Sequence, residues 1–333
     1  KINPEELFTL QDISDEVAAA SADIRDRIDW MLKVIGDSTC PEVVIGPHCS
    51  NPYACSLTEC WEGLPEDSVF TLYYGGKKSH ELYSGGVVDI RSIPAGYKLN
   101  DKQRIQCGCV ASAQPYVDAV ALKQFLSSLQ YPLYFLDFET INPAVPLFDG
   151  TRPYQNTPFQ FSLHVQPTPD AEAQHYWYLA DGPQDPRPEL LKRLHDFIGD
   201  KGSIIVYNQS FEQGVLRDLG SAFPMHREWS EAVIERLVDL IIPFRSFYYY
   251  HPLQKGSASI KSVLPAITGS GYEGLAIAEG GEASLRYLDI TYGEVSNEER
   301  LRTREELLAY CGLDTEGMVR IVRRLRELVS HIY

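Results

Sequence analysis

Residues 132–138, Pro-Leu-Tyr-Phe-Leu-Asp-Phe, are apolar at nearly every position. A strand of that kind is buried on both faces, so the fold must supply cover above and below it and strands alongside it. The partners are legible nearby. Residues 159–165 alternate as a second strand, 175–179 read as a third, and 203–207 form another apolar strand. Helical spacing surrounds them: a helix from about Val117 to Leu129, another carrying Leu190, Leu191, Leu194, Phe197 and Ile198, and a long one from about Thr303 to Leu328. Strands first, then a strand bracketed by helices, predict an α/β fold in which a mixed sheet is covered by helices over residues 121–333.

Upstream the rhythm differs. Residues 12–36 place Ile13, Val17, Ala20, Ile24, Ile28, Met31 and Ile35 at the spacing of an amphipathic helix. Residues 69–74 and 81–83 flank Gly75-Gly76-Lys77-Lys78 as two short strands joined by a turn, and the stretch from Pro94 to Gln106 reads as connecting chain. Three parts are expected: a helix plus cysteine-rich segment (1–65), a hairpin and linker (66–120), and the α/β domain (121–333). The chain begins at Lys1 with no basic-then-apolar leader, and it reads as a fragment or processed chain.

Charge narrows the function. Against 46 acidic residues stand 30 Lys and Arg, a net charge of −16, which disfavours a generally basic protein that binds nucleic acid by releasing counterions. An enzyme of nucleic acid survives this test only if metal ions neutralise part of the acid. No apolar run approaches the roughly 20 residues that span a bilayer, so no membrane partner is expected.

Asp137 and Glu139 end the apolar strand two residues apart and therefore share a face, while Phe138 turns to the core. Carboxylates so close repel unless a cation compensates. Alone, the pair is equally a solvated strand end. The second acid, Glu212, follows the strand 203–207 in Tyr207-Asn-Gln-Ser-Phe-Glu212, on the first turn of a helix. Functional groups of open α/β sheets gather at such strand ends, though the helix dipole also favours glutamate there. The third element lies in the last helix, where Tyr310 and Asp314 are four apart and enter one pocket. Gly312 between them costs a helix about 1 kcal/mol relative to alanine and suggests a close approach.

In that order, D-x-E on a strand, N-x-x-F-E after a later strand and Y-x-x-x-D on a C-terminal helix resemble the DnaQ-like, ribonuclease-H-fold 3′-to-5′ exonucleases, in the tyrosine subgroup of the DEDD superfamily. The histidine subgroup would place His where Ala309 stands. The resemblance covers roughly residues 121–333 and implies a five-stranded ribonuclease-H-like sheet. It also implies two Mg²⁺ or Mn²⁺ ions: Asp137 bridges them, Glu139 and Asp314 complete one site, and Glu212 acts through water on the other. Ions about 3.5–4 Å apart stabilise the attacking and leaving oxygens of an in-line displacement. Tyr310 would orient the attacking water, and mononucleotides would leave stepwise from a 3′ end of DNA or RNA, single strands above all. The family's second motif normally ends in Asp; Glu212 is one methylene longer.

Further substrate-binding candidates are Asn208 of the second motif, and Tyr250 and Lys261 from the segment Tyr248-Tyr-Tyr-His-Pro252 and Lys255–Lys261, which joins π faces, small polar donors and cations ahead of a helix. A tyrosine run is as often edge packing. Asp239 reads as a helix-end or turn acid, and Arg320, Arg323, Arg324 and Arg326 as the solvated face of the last helix.

Seven cysteines are too few and too unevenly spread for a disulfide scaffold. Four of them (Cys40, Cys49, Cys55, Cys60) cluster, which points to a metal, Zn²⁺ or an iron-sulfur cluster, in a reducing cytoplasm. This segment is similar to the cysteine triplet of RecB-like iron-sulfur nucleases. The whole arrangement resembles a bacterial domain-of-unknown-function family that joins such a nuclease to a C-terminal DnaQ-like domain, which implies an upstream RecB-like domain as partner. Cys107 and Cys109 carry no assigned role, and Cys311 reads as helix packing. Two other functions stay open: a non-catalytic module that binds nucleic-acid ends or scaffolds a larger nuclease, and a carboxylate-pair glycosidase, which leaves the third acid and the helical tyrosine unexplained.

Overall fold

The computed structural model describes residues 3–39, 41–51 and 53–332, so Cys40 and Pro52 fall outside what it describes. The chain divides into two units, Lys1–Leu64 and Pro65–Tyr333.

The first unit holds α1 (Pro4–Leu7), α2 (Ser14–Ala20) and α3 (Ile24–Gly36), then 3₁₀ turns at Pro47–Cys49 and Glu59–Trp61. The one helix expected over 12–36 is two. It breaks at Ser21 and Asp23, whose short polar side chains compete with helical backbone; Asp23 instead pairs with Arg27 at 2.6 Å. Neither α2 nor α3 buries a residue.

The second unit begins with a correction. No hairpin forms over 69–83: Val69–Thr71 is a 3₁₀ turn and α4 (Lys77–Ser84) is a helix. Gly76, at φ +46°, turns the chain, and Lys77 then supports the helix by pairing with Glu81 one turn on, at 3.8 Å. The expected linker is likewise α5 (Asp101–Ser112). It starts at a capping box, in which Asn100 Oδ1 accepts from Gln103 N at 2.9 Å and Gln103 Oε1 accepts from Asn100 N at 3.1 Å. Its buried face joins Gln103 and Gln106 to the apolar Cys109 and Val110. Tyr73 N donates to Gln106 Oε1 (2.7 Å), Gln106 Nε2 to Thr71 O (2.8 Å) and Gln103 Nε2 to Tyr73 O (3.0 Å). Residues 66–120 therefore do not stand apart as a hairpin and linker: they belong to the second unit.

After β1 (Tyr116–Val117) and α6 (Ala119–Ser127) come β2 (Leu133–Ile141), β3 (Thr157–Gln166), β4 (Gln174–Leu179), α7 (Arg187–Phe197) and β5 (Ser203–Val206). Then follow α8 (Ser210–Ala222), α9 (Arg227–Glu235), β6 (Leu237–Asp239), α10 (Ile242–Arg245), β7 (Tyr249–Tyr250), α11 (Ile260–Thr268), α12 (Gly280–Tyr292) and α13 (Asn297–Ile332). The five-stranded sheet runs β4-β3-β2-β5-β6. Its β4, β3 and β2 are antiparallel neighbours, and β2, β5 and β6 parallel ones. The fold is α/β with a mixed sheet flanked by helices. The central strand β2 is the apolar run, and it divides two cores. On one side Leu133 and Phe135 meet Leu264 of α11 and Met318 and Val322 of α13; on the other Tyr134, Leu136 and Phe138 meet Leu190 and Leu194 of α7 and Val215 and Leu216 of α8. Each such side chain contributes roughly 1.5–3 kcal/mol when fully buried.

A two-stranded pair, β1 with β7, ties the start of this domain to the tyrosine run. Gly256, at φ +74°, lies where a Cβ would come within 2.0 Å of Thr71 O, so only glycine admits the 3₁₀ turn there. No helix among the described residues is long and apolar enough to cross a membrane.

Candidate active site

On β2, alternate residues point the same way, so Asp137 and Glu139 face the side that α13 covers. The ladder to β3 slips its register between Glu139 and Thr140. A bulge at that point shifts the pairing just past the acids, and the ladder resumes at Thr140 and Ile141, as bulges beside sites commonly allow. From α13, Tyr310, Cys311 and Asp314 project to the same place. Cys311 is fully buried and its Sγ lies 3.4 Å from Asp137 Oδ2. One ligand atom from each of Asp137, Glu139 and Cys311 lies within 4.8 Å of the others. Glu212, on the first turn of α8, is 2% exposed, and its Oε2 has no hydrogen-bond partner.

The charges respond to one another. Burial pushes the Asp137 carboxyl well up, and Asp314 adds to it. Glu139 rises through burial and then through Asp137 and Asp314, with Lys261 opposing. Glu212 rises through burial and, among charges, through Asp137 first. Asp314 reaches about 6, raised by burial and held back by the hydrogen bond from Tyr272 and by Lys261. The Tyr310 hydroxyl is driven far up, by burial and then by Asp314, Glu139 and Asp137. Glu139, Glu212 and Tyr310 thus each feel Asp137 and Asp314, though among the described residues only Asp137, Glu139 and Cys311 bring ligand atoms within 4.8 Å of one another.

Other groups set them in place. The Asp239 carboxylate accepts from Asn208 N (3.0 Å), Gln209 N (3.0 Å) and Ile241 N (3.1 Å), clasping the turn that starts α8. Asn208 itself takes φ +78°. Asp239 is thus a turn acid, as the sequence suggested. Behind Asp314, Thr315 Oγ1 meets Ser162 Oγ (2.6 Å) and His164 Nδ1 (2.8 Å), and the His164 and His175 rings stack at 4.3 Å. The close approach expected at Gly312 is to this layer: a Cβ there would stand 3.4 Å from His175 Cε1. Tyr272, which no sequence pattern singled out, donates its O–H to Asp314 Oδ1.

The substrate-binding candidates separate. Lys261 donates to Ala278 O, and its Nζ lies 5.6 Å from the Tyr310 ring centroid, facing the acids. Asn208 is exposed at the rim. Tyr250 is not a base platform. It is 1% exposed, lies flat on Phe247 at 4.8 Å, and its hydroxyl accepts from Gly256 N at 3.1 Å. Lys255 is engaged too, by Asp67 at 2.7 Å.

Two cavities adjoin these residues. One of about 400 Å³ is lined by Glu139, Thr140, Asn142, Phe211, Ser284 and Leu288. A second of about 580 Å³ is lined by Tyr73, Tyr74, Asn208, Arg245, Ser257 and Ser259. Tyr74 is 80% exposed, and no carboxylate pairs with Arg245 among the described residues. In the first unit, Cys49, Cys55 and Cys60 do not assemble into a metal-binding group of three; Cys40 lies outside the described residues. On the last helix Arg323 and Arg324 are exposed and pair with Glu172 (3.2 Å) and Glu327 (2.8 Å), and Arg326 donates to the Tyr131 hydroxyl.

Residues 134–259 match the family model described as Domain of unknown function (DUF2779), a stretch that includes Asp137, Glu139 and Glu212 and ends before Tyr310. The chain is similar to the "Uncharacterized protein MG366 homolog" of Mycoplasma pneumoniae, at 25% identity over 63% of this chain and 34% of that protein. It is also similar to "Uncharacterized protein MG366" of Mycoplasma genitalium, at 24% over 62% of this chain and 34% of the relative. A third relative, "Uncharacterized protein UU173" of Ureaplasma parvum, is 22% identical over 63% of this chain and 33% of its own length. The chain spans about a third of the length of these curated relatives. No solved structure matches.

Proposed function

We propose that this chain is a metal-dependent 3′-to-5′ exonuclease of ribonuclease-H-like fold, hydrolysing phosphodiester bonds of DNA or RNA. The observation that supports the reading is that Asp137 and Glu139 from β2 meet α13 at Cys311 within 4.8 Å, with Asp314 and Tyr310 of that helix and the buried Glu212 of α8 coupled to Asp137 electrostatically. Four buried carboxyl groups, three of them raised further by a neighbouring acid, are unstable neighbours without a cation. Glu212 Oε2, buried with no partner, fits a ligand role directly or through water. The carboxylate oxygens of the set suit Mg²⁺ or Mn²⁺, with Asp137, Glu139 and Asp314 as direct holders and Glu212 completing the site. When bound, such ions supply positive charge to the phosphodiester and its departing oxygen.

The protein's own groups do the rest. Tyr310, its hydroxyl pushed well up by burial and then by the surrounding acids, orients the attacking water by hydrogen bonding. Tyr272 fixes one Asp314 oxygen. Lys261 brings a cation to the rim, where the scissile phosphate would lie. The 400 Å³ cavity beside Glu139 offers Phe211 and Leu288 to a terminal nucleoside. The larger cavity begins at Asn208 and offers the Tyr74 ring and Arg245 to the preceding strand, a combination of π face and cation that suits single-stranded nucleic acid.

The test is mononucleotide release from a 5′-labelled oligonucleotide with Mn²⁺, comparing wild type with Asp137→Ala. Stepwise shortening from the 3′ end that disappears in Asp137→Ala is the expected result. Release retained in Asp137→Ala overturns the assignment, and end binding without any cleavage favours the non-catalytic module.

A further inference from the structure

Cys311 does not behave as a packing residue. It is fully buried yet belongs to none of the apolar clusters of the second unit. Its neighbours are carboxylates: the thiol donates to Asp137 Oδ2 at 3.4 Å, and Glu139 completes a group of three potential ligands within 4.8 Å. A sulfur placed so adds nothing to a site for hard ions alone, because Mg²⁺ takes oxygen. It transforms the site for a soft one. Two carboxylates and a thiolate make three anionic ligands with a position left open, the arrangement of a reactive rather than a structural zinc centre. An independent feature points the same way: the Glu212 carboxyl, 2% exposed and with an unpartnered Oε2, feels Asp137 more than any other charge.

We propose that Asp137, Glu139 and Cys311 form a mixed oxygen–sulfur site that takes a thiophilic divalent cation of the Zn²⁺ class. This rests on the reading of the acids as a cation site and adds the element that sets metal preference. As the sulfur–metal bond forms, the S–H bond breaks and its proton passes to water; no electron changes hands. Zn²⁺ already precedes Mn²⁺ in affinity for a given donor set, and a thiolate widens that gap. The site would hold Zn²⁺ far more tightly than the hard ions.

The test uses the full chain with Cys40, Cys49, Cys55 and Cys60 all replaced by serine, titrated with Cd²⁺ and followed by the ultraviolet thiolate-to-cadmium charge-transfer absorption. One equivalent should produce the absorption. Cys311→Ser should abolish it, and Asp137→Asn, which keeps the sulfur, should weaken the binding that produces it. In chelator competition, Zn²⁺ affinity should fall about tenfold or more in Cys311→Ser, with Mg²⁺ affinity unchanged. No absorption in the parent, or absorption that persists in Cys311→Ser, overturns the proposal. Mononucleotide release measured on the same parent separates the two ideas: cleavage without the absorption removes the sulfur ligand and leaves the exonuclease, and the absorption without cleavage does the reverse.

Discussion

Asp137 is central because both the strand and the last helix deliver their groups to it. Exchanging Asp137 for alanine should reduce mononucleotide release by about 10²-fold or more, with the thermal midpoint held or raised, since one member of a repelling buried group is gone. Tyr310→Phe removes a single oxygen. It should lower kcat by about 10²-fold with KM near wild type, because the hydroxyl orients the attacking water and makes no contact needed for substrate capture. These residues were legible in the sequence for a geometric reason: period two on a strand, the first turn of a helix, and a four-residue helical step each fix a direction without knowledge of the fold. Tyr272 and Cys311 were not. The contact from Tyr272 to Asp314 spans 42 positions, and a lone cysteine in a helix looks like any small apolar residue until its neighbours are known.

Among elements, the long apolar strands and the terminal helix could be read directly, while α4, α5 and β6 could not. The hairpin expected over 69–83 rested on a few alternating residues too short to exclude a helix. Helix α5 escaped because the first half of its buried face is Gln103 and Gln106, so apolar periodicity is silent until Cys109 and Val110, although its Asn100–Gln103 capping box stood in plain sight. Those glutamines also make a prediction. Gln106→Leu leaves Tyr73 N and Thr71 O unpaired in a closed setting, at roughly 1–3 kcal/mol for each buried group, and the denaturant midpoint should drop accordingly. Tyr74→Ala, by contrast, alters an exposed ring. It should leave stability alone and weaken binding of a single-stranded oligonucleotide by about 1–3 kcal/mol, read by fluorescence anisotropy.

Across the whole molecule, the layer that joins β3, β4 and α13 is titratable. Burial and the neighbouring His175 depress His164 from its usual 6.5 to about 4. Between those values the unfolded chain binds a proton that folded His164 refuses, so its contribution to stability is full above about pH 6.5 and declines as pH falls toward 4, against the opposite trend of Asp314, whose carboxyl is raised to about 6. Chemical denaturation across that range should isolate this contribution as the difference between wild type and His164→Gln, a difference that moves against wild type as pH falls.

The clasp at Asp239 has a consequence for when the site takes its shape. Its carboxylate gathers three backbone N–H groups, two of them from the turn that aims Glu212. Until the edge strand β6 is seated beside β5, the turn that carries Glu212 lacks these bonds, so on the proposed reading the acid from α8 takes its bearing only after a strand later in the chain has docked.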